Sequence, residues 1–541
     1  MSGLWVYICC GWVAFGGFVF GWDSSYINGV MSMPWFIKDY GHIVDHQSSS
    51  SYAVIDNVQY EISSVNRSLI TSLLSLGTLV GALIGGFVCD WAGRRRTLSI
   101  GAAVYIVGVV LQISPIHIAG LIVGRIIAGF GVGLLSLVNP MYISEVAPPR
   151  IRGAAIGTYQ LFITIGILTS QGCALGTEST LNASAYRIPI GLQFIWGFII
   201  FAGGFIITES PRWYVKKELH TEALSALAKV RNLPPTDPSV VTEYEEIKSM
   251  HEYELSLGTP TYGELFRGTL APRTWVGINV QMFQQLTGVN FIFYYGTAFF
   301  QSAGITKPYL ITVATGVVNV FMTFPGIILV EKLGRRKFLL YGAAWMSLCQ
   351  LIVGVVSITV RDKSGQNVLA GFTCLFIAGF ASTWGPGGWV LIGELFPLKH
   401  RARGMSLATA SNWWWNWVIA FVVPYITDAA YGNLQTKIAF IWFATSLIGC
   451  VWTFFFVPET RYHSLETLDE MFESGVKPWN TAKWVPSGAD AKGGGYRPGD
   501  IGVVGHHGHG KGGMGGKEGK EVEHGEHEGE EEGSEKEKVS A

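Results

Sequence analysis

Residues 89–98 read CDWAGRRRTL, and residues 330–339 read VEKLGRRKFL. Each sets an acidic residue three positions ahead of Gly-Arg-Arg, between two long apolar runs. Two further stretches repeat in the same order at a nearly constant offset. ISEVAPPRIRGA (143–154) answers to IGELFPLKHRARG (392–404), and TESPRW (208–213) answers to PETRYH (458–463). Three ordered matches make the chain an internal duplication. Working outward from them, a hydrocarbon core about 30 Å thick needs about 20 apolar helical residues to cross. Runs of that kind predict twelve spans, at 5–30, 68–89, 97–115, 119–141, 154–175, 188–207, 274–302, 308–330, 338–360, 368–394, 404–427 and 436–457. Six fall on either side of one long polar segment. The expected fold is an all-α membrane protein of two pseudo-symmetric six-helix bundles, with a substrate site between them near the midplane.

Composition agrees. Of 541 residues, 49% are hydrophobic and 14% charged, with a net charge of -1 and a mean hydropathy of +0.33. An ordinary soluble domain carries roughly a quarter charged residues. A balance near zero excludes a nucleic-acid binder that works through a basic field, and the many aromatics exclude a mostly disordered chain. The seven cysteines, Cys9, Cys10, Cys89, Cys173, Cys349, Cys374 and Cys450, form no C-x-x-C pair and read as small apolar residues.

Basic residues set the orientation. Arg94, Arg95, Arg96, Arg150, Arg152, Lys332, Arg335, Arg336, Lys337, Lys399, Arg401 and Arg403 crowd the loops after spans 2, 4, 8 and 10, while the opposite loops are sparser. Both termini are therefore expected in the cytoplasm. The expected layout is a first bundle over 1–208, a linker with short helices over 209–272, and a second bundle over 273–458. A post-bundle segment (459–490) and a Gly/Glu/His/Lys-rich disordered tail (491–541) follow. Within the linker, Ala223–Arg231 and Glu243–Leu255 read as amphipathic helices. The outer loop 32–66 holds a Ser-rich stretch, and the sequon at Asn182 lies on the outer side, open to glycosylation. His506, His507 and His509 read as part of a solvated tail rather than a metal site. No cofactor is expected, and no phosphate loop or G-x-S-x-G elbow points to an enzyme.

The repeated charges make mechanical sense. Asp90, Arg94, Glu145 and Arg152 in one half answer to Glu331, Arg335, Glu394 and Arg401 in the other. They predict Arg–carboxylate bridges that hold the cytoplasmic side shut and break when the halves rock. Inside the spans stand the amides Gln160, Gln284, Gln285, Asn290, Asn319 and Asn412. Amides both donate and accept hydrogen bonds, and burying them in lipid is costly unless they are satisfied. Asp23 in span 1 and Arg125 in span 4 are charges that lipid cannot accommodate singly, so pairing with each other is expected.

Taken with GRIIAGFGVG, QQLTGVNFIFYYG, GPGGWVLIGELFP and PETR-x-x-SLE, these motifs resemble the sugar porter family of the major facilitator superfamily over about residues 16–470. FGWDSSYINGV in span 1 is most similar to fungal hexose and monosaccharide transporters. The resemblance implies that Gln160, Gln284, Gln285, Asn290, Asn319 and Asn412 contact a monosaccharide, with Trp389 stacking beneath its ring. It also implies an outer gate at Tyr294 and Tyr295, and proton coupling through Asp23 and Arg125. Relatives that only equilibrate sugar carry the same aspartate, so a uniporter stands beside the proton symporter. A transporter-like sugar sensor is a third alternative. The expected partners are a hexose such as glucose, a proton and the lipid bilayer, at the plasma membrane; oligomeric state is left open.

Overall fold

The computed structural model describes residues 4–44, 52–114, 117–148, 152–256, 261–360, 362–397, 400–428, 431–461 and 465–484. The tail from 491 lies outside the described residues, as do the side chains of Arg152, Glu331 and Arg401.

Twelve spans follow one another as expected. They are Leu4–Val30, Ser64–Ala92, Arg94–Ile113, Ile118–Val146, Arg152–Thr177 and Ser184–Ile206, then Leu270–Leu286 continued by Val289–Ser302 as span 7. Spans 8 to 12 are Pro308–Leu333, Arg335–Thr359, Lys363–Leu395, Arg401–Thr427 and Gln435–Phe456. Large apolar side chains such as Phe87, Trp91, Phe205 and Phe321 stand on the outside of the bundle, where only a lipid solvent makes their exposure favourable.

Helix ends follow local chemistry. The Ser63 hydroxyl accepts from the Asn66 N–H at 3.3 Å, and the Asp362 carboxylate from the Gly365 N–H at 2.9 Å, capping spans 2 and 10. Spans 2 and 4 pack backbone to backbone. A Cβ at Gly77 or Gly81 would stand 2.3 Å from the Ile126 or Phe130 carbonyl oxygen, so the small-residue stripe is what permits the approach.

Two spans are broken inside the membrane. Span 7 breaks at Gly288, whose φ of +85° favours glycine and whose missing Cβ leaves room for the Trp442 ring. Span 10 breaks at Thr383 (φ -137°, ψ -82°). Pro386 thus falls in the first turn of the second half-helix, Trp384–Leu395, where a missing N–H costs no helical hydrogen bond.

The polar pieces fold too. In the linker, His220–Arg231 and Pro238–Ser256 are helical and bury Leu227 and Val240 together. Arg231 holds Glu243 at 2.5 Å and donates to the Val146 carbonyl at 3.1 Å, fastening the linker to the end of span 4. The outer loop is more ordered than its composition predicts. A helix, Pro34–Tyr40, precedes an antiparallel sheet of β1 (His42–Ile43), β2 (Tyr52–Ile55) and β3 (Val58–Glu61), ordered β1-β3-β2. Asp56 and Asn57, at φ 53° and 65°, form the two-residue turn that suits a twisted hairpin. Bundles, linker and post-bundle segment all belong to one compact unit.

Candidate functional site

The amides of spans 7 and 11 converge. Gln285 donates to the Asn412 Oδ1 at 2.8 Å, and the Asn412 amide donates to Gln281 Oε1 at 2.6 Å and Gln284 Oε1 at 2.7 Å. Asn290 donates to Gln285 Oε1 across the Gly288 break. Gln284 in turn donates to the Trp384 and Gly385 carbonyls at 2.8 and 3.2 Å, which are exposed by the break in span 10. Gln281, Gln284, Gln285 and Asn412 are all buried. Their mutual bonds satisfy groups that would otherwise be costly in a low-dielectric interior, except Gln281 Nε2, which has no partner among the described residues.

The other predicted residues lie around this cluster. Gln160, half-buried on span 5 of the opposite half, faces Gly385: a Cβ there would stand 3.8 Å from its Nε2. Trp389 is half-buried on the second half-helix of span 10. Asn319 is buried on span 8 and makes no hydrogen bond to the cluster among the described residues. Tyr294 and Tyr295 are buried, and donate to Asn416 Oδ1 at 2.9 Å and the Ala420 carbonyl at 2.7 Å on span 11.

Gln281 and Asn416 escaped the sequence reading. Asn416 links span 7 to the first half, since it also accepts from the Ser75 hydroxyl at 2.6 Å. Helical spacing is the signal that finds both. Gln281 lies one turn before Gln285, and Asn416 one turn after Asn412.

Asp23 and Arg125 are both buried but do not pair directly. Arg125 donates to the Tyr26 hydroxyl at 2.8 Å, and Tyr26 donates to Gln112 at 2.5 Å. Neither oxygen of Asp23 has a hydrogen-bond partner among the described residues. The expected contact is thus replaced by a tyrosine one turn beyond the aspartate, which takes the guanidinium.

The charge clusters form two matching anchors. Arg94 grips Glu145 at 2.8 Å and, through its backbone N–H, Glu209 at 2.9 Å. Arg335 grips Glu394 at 2.6 Å and, again through its N–H, Glu459 at 2.8 Å. Glu209 and Glu459 belong to the third repeated motif, which had served only to align the halves. Burial pushes the Glu209 carboxyl up from the ordinary glutamate value, against the pull of N–H donors from Ser210, Arg95 and Arg94. Asp90 lies 3.7 Å from Arg94 and 2.8 Å from Lys216 of the linker. Each of these described bridges lies within one half; the side chains of Arg152, Glu331 and Arg401, which belong to the expected clamp, lie outside the described residues.

The contacts that cross between halves collect toward the opposite end. Ser64 donates to Asp428, Ser68 to the Phe421 carbonyl at 2.5 Å and Tyr309 to the Gly29 carbonyl at 3.0 Å. The Thr297 N–H donates to Asn28 at 2.9 Å, and Arg67 stands 3.9 Å from Asp428. Hydrogen bonds between bundles therefore lie on that side of the amide cluster.

Residues 9–472 match the family model described as "Sugar (and other) transporter". The chain belongs to the sugar transporter family. This is a family of major facilitator transporters, not of enzymes. Among its members, the major facilitator-type transporter ecdD of Aspergillus rugulosus is 39% identical over 88% of this chain and 89% of its own length. The low-affinity glucose transporter HXT1 of Saccharomyces cerevisiae is 37% identical over 92% of this chain and 86% of its own. The fold is shared with the xylose transporter XylE from E. coli in a partially occluded inward-open conformation, at a TM-score of 0.69, with 23% identity, over 85% of this chain and 99% of that one. Twelve helices in two bundles, expected from the repeat, are the fold of this family.

Proposed function

We propose that this sugar transporter family member carries a hexose such as glucose across the plasma membrane by alternating access, with both termini cytoplasmic. The observation that carries this reading is the amide cluster of Gln281, Gln284, Gln285, Asn290 and Asn412 beside two helix breaks. A neutral polyol needs groups that donate and accept at fixed positions without net charge, and carboxamides supply both. Gln160 supplies a donor from the facing half, and Trp389 an apolar ring for the C–H face of the sugar. Asn319 is placed to join them only if span 8 shifts. With the basic loops inside, the crossing bonds of Ser64, Ser68 and Tyr309 close the outer side, and Tyr294 and Tyr295 reinforce that closure as the outer gate.

Proton coupling is part of the same proposal. Asp23 is buried, lacks a hydrogen-bond partner among the described residues, and lies in the field of Arg125, one of whose N–H groups donates to Tyr26. A carboxyl so placed is free to take a proton without first breaking a bridge. Uptake of labelled glucose in a strain lacking hexose transporters tests transport; sugar binding with no flux would make the protein a sensor. Sugar-induced alkalinisation of the medium, abolished in Asp23→Asn, tests symport. Undiminished uptake with no proton movement would leave a uniporter.

A further inference from the structure

Gly388 sits in the second half-helix of span 10, at a φ any residue can adopt. Glycine is disfavoured in a helix relative to alanine, so a helical glycine without a conformational reason calls for a steric one. The reason is Gln284. A Cβ at position 388 would stand 2.9 Å from Gln284 Nε2, and the next nearest side chain, Val280, lies at a comfortable 3.7 Å. The absent methyl is thus the space into which the Gln284 amide extends to reach the Trp384 and Gly385 carbonyls.

That docking uses the whole amide. Gln284 Nε2 carries two hydrogens, and both are directed at the break; its Oε1 accepts from Asn412. A sugar hydroxyl can take an N–H from Gln284 only by drawing it off span 10. We propose that Gly388 is a positioning residue: it parks Gln284 on the break of span 10, so that a monosaccharide arriving at the site must release that break as it binds. The inference rests on the sugar-transport reading and supplies what that reading lacks, a route from substrate contact to movement of a gating helix. Binding exchanges one set of hydrogen bonds for another, and the bonds given up are those that tie the break of span 10 to span 7.

The test uses the purified full-length protein with D-glucose as probe, and the variants Gly388→Ala, Gln284→Leu and their combination. Without sugar, hydrogen exchange of peptides spanning 380–392 reads the docking itself. Exchange is expected to quicken in Gly388→Ala and in Gln284→Leu, and no further in the double variant. Unchanged exchange in Gly388→Ala overturns the proposal whether or not glucose binds. With sugar, calorimetric Kd in Gly388→Ala is expected to fall by about fivefold, the factor that one net hydrogen bond no longer broken would return. A Kd that holds or rises overturns it, as does the same shift when Gln284 is already leucine. Wild-type protein that binds no glucose would sink the sugar reading, while the exchange result still judges Gly388.

Discussion

The two ends of the bundle are built on opposite plans. At the arginine-rich end, the Arg94–Glu145 and Arg335–Glu394 ion pairs tie span 3 to span 4 and span 9 to span 10, and the backbone N–H groups of Arg94 and Arg335 hold Glu209 and Glu459, each within its own half. At the other end, the bonds run between halves: the Ser64, Ser68 and Tyr309 hydroxyls donate to the Asp428 carboxylate and to the Phe421 and Gly29 carbonyls, and Arg67 stands 3.9 Å from Asp428. Close guanidinium–carboxylate contacts therefore brace each bundle, while single hydroxyl donors and one looser ion pair join the bundles. Such a division suits a machine whose halves must part and rejoin at one end without either losing its shape.

The sharpest way to break that contrast is Arg335→Ala. It takes the guanidinium from Glu394 while the backbone N–H that holds Glu459 remains, and a loss of about 2 kcal/mol in stability is expected, read as thermal unfolding and surface abundance. Full stability with altered transport would mean that the anchor is a gate after all. Next in size, cysteines replacing Ser64 and Asp428 should lock the crossing end when oxidised, with uptake falling by about tenfold or more and returning on reduction, since both states must be visited. Uptake indifferent to the oxidant would mean that this end need not open. A smaller effect is expected from Asn416→Leu, which uncouples Tyr294 from Ser75 and should cost about 1 kcal/mol in a melt.

The mildest test concerns pH. Because the fold raises the Glu209 carboxyl above its ordinary 4.5, the native state binds a proton there more tightly than the unfolded chain does. Stability from this group therefore falls as pH rises through the window just above 4.5 and is recovered as pH drops. Glu209→Gln should flatten that part of a melting profile; an unaltered slope would place the titration elsewhere.

Much of this was legible beforehand, and the failures have physical causes. Span number and order follow from run length alone, because lipid requires about 20 apolar residues whatever their partners. The repeat marked Glu145 and Glu394 as important, but it could not say that Arg94 and Arg335 would take them. That choice depends on how span 3 meets span 4 and span 9 meets span 10, which no local pattern encodes. Asp23 and Arg125 were matched by charge, and Tyr26, whose hydroxyl accepts one guanidinium N–H, carried no signal that charge arithmetic could register. The small outer sheet was missed because its strands are short and its clearest mark is the Asp56-Asn57 turn.

Gly93 and Gly334 close span 2 and span 8 and open span 3 and span 9 with no residue between, each at a φ above 80°. Where either would carry a side chain, a carboxylate oxygen of Glu209 or Glu459 stands 2.4 Å away. A hairpin with no slack in its elbow, wedged from outside, has no way to flex at the bend. A tilt of one arm is then carried to the other.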